Sequence, residues 1–168
     1  MPDLTLRSNS GTAVFSEDRL SRFLLTRDYD GGAGVCCFVL LNPSRADAAT
    51  DDPTIARCSG FARSWGYARM SVVNLFSYVT SDPRVLALGG RTTTSKDDEY
   101  LLAASSSADL VVAGWGVHGV LSGRSQAVRR LLKEACIDLW AFGITKNGEP
   151  RHPLYLPYSS TLSPFNSG

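Results

Sequence analysis

Four polar side chains suited to ligand recognition each follow a short apolar run of the sequence. Asn42 and Asn74 come at the ends of the first two runs, and His118 and His152 follow the third and the fourth. Asparagine is uncommon within strands and common at turns. Its amide both donates and accepts hydrogen bonds, as does a neutral imidazole. These residue types suit recognition of the polar edge of a planar heterocycle.

Further residues in the same stretches fit that chemistry. Aromatic faces stack on heterocycles, and a hydroxyl adds a hydrogen bond, so we expect the ligand to be contacted also by Ser44, Phe76, Tyr78 and Trp115. Arg45 and Arg151 lie close to Asn42 and His152 in the sequence and are predicted to contact phosphate groups or DNA.

The apolar runs predict the strands that would position these side chains. They are continuous rather than alternating, are rich in Val, Leu, Ile and Phe, and cover residues 35–41, 70–76, 110–113 and 137–142. Such runs are typical of strands buried on both faces of a parallel sheet. Ligands bind such sheets at the carboxyl ends of the strands. We therefore expect Asn42, Asn74 and His152 to meet in one crevice.

Helix signals lie between the runs. Asp52 and Pro53 predict an N-cap followed by proline at the first helical position, and Gly66 predicts the end of that helix. Its apolar stripe would consist of Ile55, Cys58, Phe61, Ala62 and Trp65. Weaker signals predict a short helix from residues 81–83 to 89–90, a third after a capping box at residues 95–98, and a fourth beginning near residues 122–124.

Alternation of strands and helices predicts an α/β fold. The expected architecture is a three-layer α/β/α sandwich around a central, mainly parallel four-stranded sheet, with an N-terminal edge strand or hairpin from residues 12–15 and 20–29. Residues 1–157 are expected to form a single domain, and residues 158–168 a C-terminal tail.

Composition excludes several classes of function. The 17 Lys and Arg residues nearly balance the 16 Asp and Glu residues, which argues against binding of polyanions by bulk charge. The longest apolar run is far shorter than the roughly 20 residues needed to span a bilayer, and the N-terminus has no signal-peptide pattern. We therefore expect a cytoplasmic protein without a membrane partner. The sequence sets no oligomeric state, and a monomer is compatible with it.

Cofactor and metal sites are not predicted. No dinucleotide-binding or phosphate-binding glycine motif follows a predicted strand. Two histidines and four scattered cysteines do not form a zinc-binding pattern. The cysteines, Cys36, Cys37, Cys58 and Cys136, are expected to be reduced and to fill the core.

At the strand ends, the sequence resembles the uracil-DNA glycosylase superfamily. Asn42 and the following Pro-Ser resemble the turn that positions the attacking water, and Asn74 lies where that superfamily has a base-reading asparagine. His152 and the following Pro-Leu resemble the closing motif, whose histidine stabilises the leaving base. The resemblance implies that Leu154 and Tyr155 form a wedge into the duplex. It also implies the glycosylase-like form of the predicted sandwich.

A closer resemblance is to a family of small bacterial and phage proteins catalogued as a domain of unknown function. It covers about residues 12–157 and rests on the strings LNPSRADAATDDPTIARC (41–58), GFARSWGY (60–67), VVNLF (72–76), AGWGVHG (113–119) and TKNGEPRHPLYLP (145–157).

The resulting hypothesis is a nucleobase-recognising enzyme. It would hydrolyse the N-glycosidic bond of a base, with or without modification, in DNA or a nucleotide, using Asn42 and His152 as catalytic residues. The first alternative is a non-catalytic module that binds a nucleotide or a modified base, since no carboxylate clearly points into the predicted crevice. The second is metal-dependent phosphoester or nucleotide chemistry at Asp47, Asp51 and Asp52, although a helix cap explains Asp51 and Asp52 more simply.

Overall fold

A single mixed sheet is the centre of the computed structural model, which describes residues 2–87 and 93–165. In this part of the chain the sheet has eight strands in the order β1-β2-β3-β5-β4-β6-β7-β8. The strands are β1 (Leu4–Arg7), β2 (Gly11–Phe15), β3 (Arg22–Asp28), β4 (Val35–Leu40), β5 (Arg69–Asn74), β6 (Leu110–Ala113), β7 (Trp140–Ala141) and β8 (Ser163–Pro164).

The predicted four-stranded, mainly parallel, glycosylase-like sandwich is wrong. The sheet has eight strands, and its pairings are mostly antiparallel: β1 with β2, β2 with β3, β3 with β5 and β7 with β8. Only β5-β4, β4-β6 and β6-β7 pair in parallel within the described residues. The N-terminal residues add three strands instead of an edge hairpin, because β3 continues the sheet beside β5. Arg22 and Arg27 interrupt the apolar pattern of β3, so the burial of this strand could not be predicted from the sequence.

The helices follow local sequence signals, with one exception. The bounds are α1 (Pro53–Ser64), α2 (Arg84–Ala87), α3 (Ser95–Ser106) and α4 (Arg124–Glu134), and a 3₁₀ segment (Val117–Gly123) precedes α4. The carboxylate of Asp52 caps α1 by accepting the backbone N–H of Ile55 at 2.9 Å. The predicted capping box of α3 is wrong, because Thr94 is the N-cap and its side chain makes no capping bond. The predicted end of α2 at residues 89–90 lies outside the described residues.

The core lies on both faces of β4, as its continuous apolar run predicts. Cys37 and Val39 pack in one hydrophobic cluster, and Cys36, Phe38 and Leu40 pack in the other. Cys58 is buried as predicted, but the prediction is wrong for Cys136, which lies in the turn after α4 and is exposed. In the described ranges no helix is both long and apolar enough to cross a membrane.

The C-terminal residues that the structure describes, up to Phe165, pack on the domain. Tyr158 packs edge-on against Phe61 and lies under the guanidinium of Arg57. Beyond it, β8 pairs with β7, and the buried Phe165 packs against Trp115. Residues 158–165, predicted as a tail, therefore contribute a strand and a core side chain.

Candidate functional site

The parallel pairing of β4 and β5 brings the two predicted asparagines together. Leu40 at the end of β4 is the partner of Asn74 at the end of β5. The ladder continues beyond the strands, because the Leu75 N–H donates to the Leu40 carbonyl at 2.9 Å. Asn42 follows β4 by two residues and so lies at the same edge of the sheet.

The segment that carries His152 is held against this edge by the residues after β6. The backbone N–H of Gly116 donates to the carbonyl of Pro150 at 2.9 Å. Gly114 permits close packing, since a Cβ there would lie 3.1 Å from the Cδ atom of Pro153. The absence of a side chain at Gly114 thus lets His152 approach the end of β4.

Asn42, Asn74 and His152 line one small cavity. Its volume is about 40 Å³, which is enough to hold water. The polar side chains around it come from β3, β5, the loop after β4, the start of α1 and the segment after β7: Arg22, Asn42, Ser44, Asp52, Thr54, Asn74 and His152. The predicted convergence of the three residues is confirmed.

The two asparagines differ in how their amides are used. The Nδ2 of Asn42 donates to the carbonyls of Pro43 at 3.0 Å and Thr80 at 2.8 Å, which leaves its Oδ1 as an acceptor. Asn74 is only 6% exposed, and neither its Nδ2 nor its Oδ1 has a hydrogen-bond partner among the described residues. A buried amide without partners costs about 1–3 kcal/mol. Asn74 therefore offers one donor and one acceptor to a ligand.

His152 is held in its neutral form with a defined tautomer. Its Nδ1 accepts the backbone N–H of Leu154 at 3.1 Å, so the proton of the neutral ring is on Nε2. Burial lowers the pKa of His152 below its ordinary value, although the nearby Asp52 carboxylate acts in the opposite direction. At neutral pH the ring is therefore a hydrogen-bond donor through Nε2.

Arg22 is a cavity residue that the sequence did not reveal. It is 2% exposed, and its NH1 group donates to the carbonyl of Ala46 at 3.1 Å. Burial lowers its pKa to about 10, which leaves the guanidinium charged at neutral pH. The signal available in the sequence was a charged residue next to the apolar stretch 23–25, where a buried arginine needs a polar partner.

Asp52 lines the cavity and also caps α1. One of its carboxylate oxygens accepts the Ile55 N–H, and the other faces the Ala46 N–H at 3.4 Å. Asp47 and Asp51 do not join it: Asp47 accepts the backbone N–H groups of Ala49 and Thr50, and Asp51 pairs with Arg27. No cluster of three metal-ligating side chains exists in the part of the chain that the structure describes.

The aromatic residues predicted to stack on a ligand lie in other places. Phe76 is buried in the core. Trp115 is also buried, where its indole N–H donates to the carboxylate of Glu149. Tyr78 is half-buried, and its backbone bridges to Ser21. The side chains that line the cavity, taken over the described residues, include no Phe, Tyr or Trp.

The remaining predicted residues surround the cavity or lie apart from it. Ser44 lines it and hydrogen-bonds the hydroxyl of Ser81 at 3.0 Å. Leu154 contributes its backbone N–H to His152. The other four are exposed and are not among the lining residues: Arg45, His118, Arg151 and Tyr155, the last with 85% of its surface accessible.

The lowered pKa of His152 predicts a dependence of stability on pH. The folded-state pKa lies below the unfolded value of 6.5, so the unfolded chain takes up the proton first as the pH falls. The free energy of unfolding should therefore fall below pH 6.5, by at most about 1.4 kcal/mol per pH unit, and level off below the folded-state pKa. Urea denaturation between pH 5 and 8 measures this slope. His152→Gln should remove it, whereas His118→Gln should keep it; an unchanged slope in His152→Gln contradicts the assignment.

Comparison with known proteins identifies a family. The model of a family described as "Protein of unknown function (DUF1643)" matches residues 22–154, most of the chain. The matched stretch begins at Arg22 and extends past His152, so it contains every residue that lines the cavity. No curated protein and no solved structure matches the chain, and the resemblance to uracil-DNA glycosylases gains no support from these comparisons. The chain belongs to the DUF1643 family.

Proposed function

We propose that the chain is a nucleobase-recognising hydrolase that cleaves an N-glycosidic bond in DNA or in a nucleotide. The observation that carries the proposal is the buried amide of Asn74, which has no partner among the described residues and lines a cavity shared with Asn42 and His152. A donor and an acceptor side by side match the adjacent carbonyl and ring N–H of a base. The ligand edge would replace the missing partners of the amide.

His152 supports the bond-breaking step. Hydrolysis of an N-glycosidic bond passes through an oxocarbenium-like state in which negative charge develops on the departing base. The Nε2–H of a neutral imidazole can donate to a base oxygen as that charge grows. The hydrogen bond from the Leu154 N–H to Nδ1 fixes the tautomer that this role requires.

Asn42 and Asp52 support delivery of the water. The Oδ1 of Asn42 is the amide atom left over after Nδ2 has bound two carbonyls, and it can orient a water molecule. Asp52 is the one carboxylate among the described cavity residues, and it can accept a proton from that water. The water oxygen then bonds to the anomeric carbon, the N-glycosidic bond breaks, and its electron pair leaves with the base.

The volume of the cavity limits how a base can bind. The small cavity, about 40 Å³, has room for water or for the polar edge of a heterocycle. Recognition in this geometry is therefore by the edge, with the ring at the mouth. Because Phe76 and Trp115 are core residues, affinity would come from hydrogen bonds and not from stacking on them.

A non-catalytic binding module is the alternative. The sequence favours it on two grounds, the near-neutral charge and the lack of a carboxylate clearly directed into the predicted crevice. Asp52 lines the same cavity as Asn42, so the second ground no longer applies and hydrolysis is better supported.

The test is base release by the purified protein. The substrates are single- and double-stranded oligonucleotides, each with one normal or modified base, and the corresponding nucleosides, with free base measured by chromatography. For a substrate that is cleaved, we expect Asn74→Ala to lower kcat/KM by about 10- to 100-fold, because the base edge loses two hydrogen bonds. Asn9→Ala, at an exposed turn between β1 and β2, is the control and should retain full activity.

Two results would contradict the proposal. Full activity in Asn74→Ala would show that the amide does not read the base. Tight binding of a nucleotide or modified base without any product after long incubation would favour the binding module.

A further inference from the structure

Arg22 has an unused hydrogen-bond donor at the candidate site. Its side chain lines the cavity, yet its buried Nε has no hydrogen-bond partner in the described ranges. The NH1 group of the same guanidinium is anchored on the Ala46 carbonyl, which fixes the position of the charged group. A buried cation with an uncommitted donor is costly unless an anion or acceptor completes it.

The other charged groups around Arg22 already have hydrogen-bond partners. Asp52 shares the cavity with Arg22, and its negative charge raises the pKa of Arg22 against the lowering effect of burial. The Asp52 oxygens accept the backbone N–H groups of Ile55 and Ala46 and keep lone pairs for the proposed proton transfer. Arg27, on the same strand, is paired with Asp51. His152 is neutral, as its accepting Nδ1 requires. The groups left for a ligand are therefore the amide of Asn74, the Oδ1 of Asn42, the Nε2–H of His152 and the Nε–H of Arg22, and the last of these belongs to a charged group.

We propose that Arg22 makes the cavity selective for bases that leave readily as anions, that is, for bases whose free form has an acidic ring N–H; in the substrate the base is neutral. The inference rests on the proposed function and specifies its class of base: lactam or imide bases that ionise readily. As the N-glycosidic bond breaks, its electron pair makes such a base an anion, which then presents a negatively charged oxygen or ring nitrogen to Arg22 Nε, next to the amide of Asn74.

The same contact serves hydrolysis. A base that leaves with the electron pair of the N-glycosidic bond departs as an anion, and a positioned guanidinium stabilises that charge more than it stabilises the neutral substrate. Burial strengthens the effect, because the interaction takes place away from bulk water. In this role Arg22 is a catalytic residue that contacts the leaving base directly.

The experiment measures binding of two free bases by titration calorimetry between pH 6 and 9. Xanthine ionises at a ring N–H near neutral pH, and hypoxanthine has a similar lactam edge but ionises at higher pH. We expect the affinity for xanthine relative to hypoxanthine to rise by up to about tenfold per pH unit until xanthine is ionised. Comparison of two ligands cancels the titration of His152, which affects both.

Variants of Arg22 test whether this residue causes the pH-dependent preference for xanthine. Arg22→Met should abolish the rise in relative affinity, and Arg22→Lys, which keeps the charge but lacks the Nε–H, should retain part of it. Arg7→Met, at an exposed position on the edge strand β1, should behave like the wild-type protein. The wild-type titration is informative even if Arg22→Met fails to fold.

The outcomes separate the two proposals. If both bases bind without a pH-dependent preference, or if folded Arg22→Met keeps the preference, the role of Arg22 is overturned and base recognition stands. If neither base binds to the wild-type protein and no base is released from any substrate, the proposed function fails together with this inference.

Discussion

Replacement of His152 by alanine should lower the rate constant kcat of base release by about 10²- to 10³-fold. This is the usual effect of removing one positioned donor from a group that becomes negatively charged in the transition state. The loss should appear in kcat more than in KM, because the donor acts mainly on the charge that develops as the bond breaks. Single-turnover kinetics on a cleaved substrate provide the measurement.

The chain offers a matched control, since its only other histidine is His118. His118 is exposed in the 3₁₀ segment and does not line the cavity. His118→Ala should therefore retain the wild-type rate. Equal losses in the two variants would contradict the catalytic assignment of His152, and so would a rate in His152→Ala within twofold of the wild-type value.

Replacement of Arg27 by methionine should lower the free energy of unfolding by about 3–5 kcal/mol, as expected when one partner of a buried charged contact is removed. Arg27 is 4% exposed and pairs with Asp51 at 2.9 Å. Its guanidinium also donates to four backbone carbonyls, those of Thr26, Asp47, Ala48 and Thr50. Methionine fills most of the space but leaves these carbonyls without their donor. Urea denaturation followed by circular dichroism measures the loss.

The control for this prediction is Asp51→Asn. The Asp51 carboxylate is partly exposed, so loss of the ion pair alone should cost about 1 kcal/mol or less. A large difference between the variants would assign the stabilisation to the backbone contacts of the loop. Equal and small losses in both would mean that Arg27 does not hold the loop in place.

Arg22 and Arg27 together connect the fold to the candidate site. Both are on β3, and both donate to carbonyls in the loop between β4 and α1, which contributes Asn42, Ser44 and Asp52 to the cavity. Arg27→Met should therefore also weaken ligand binding at temperatures where the variant is folded. The strand that the sequence placed at an edge is the one that orders this loop.

Local features of the structure could be predicted from the sequence. The start of α1 depends on Asp52 and Pro53, which act on atoms a few residues away, and its apolar stripe follows the helical period. Continuous apolar runs gave the positions of β4, β5 and β6, because a strand buried on both faces has no polar alternation. The same runs led to the correct expectation that Asn42, Asn74 and His152 share one cavity.

Long-range pairing was decided only by the tertiary structure. No local pattern near Arg22 predicts that β3 pairs with β5. No local pattern predicts that the Arg22 guanidinium reaches the loop after β4 either. For the same reason Phe76 and Trp115, which follow the strands as ligand residues do, are core residues here. Which face a side chain occupies depends on strands distant in sequence, and the energy of burial is gained only when those strands meet. The sequence of this protein thus determined its local elements and the polar residues at their ends, while the packing of β3 beside β5 placed the buried charge of Arg22 at the cavity.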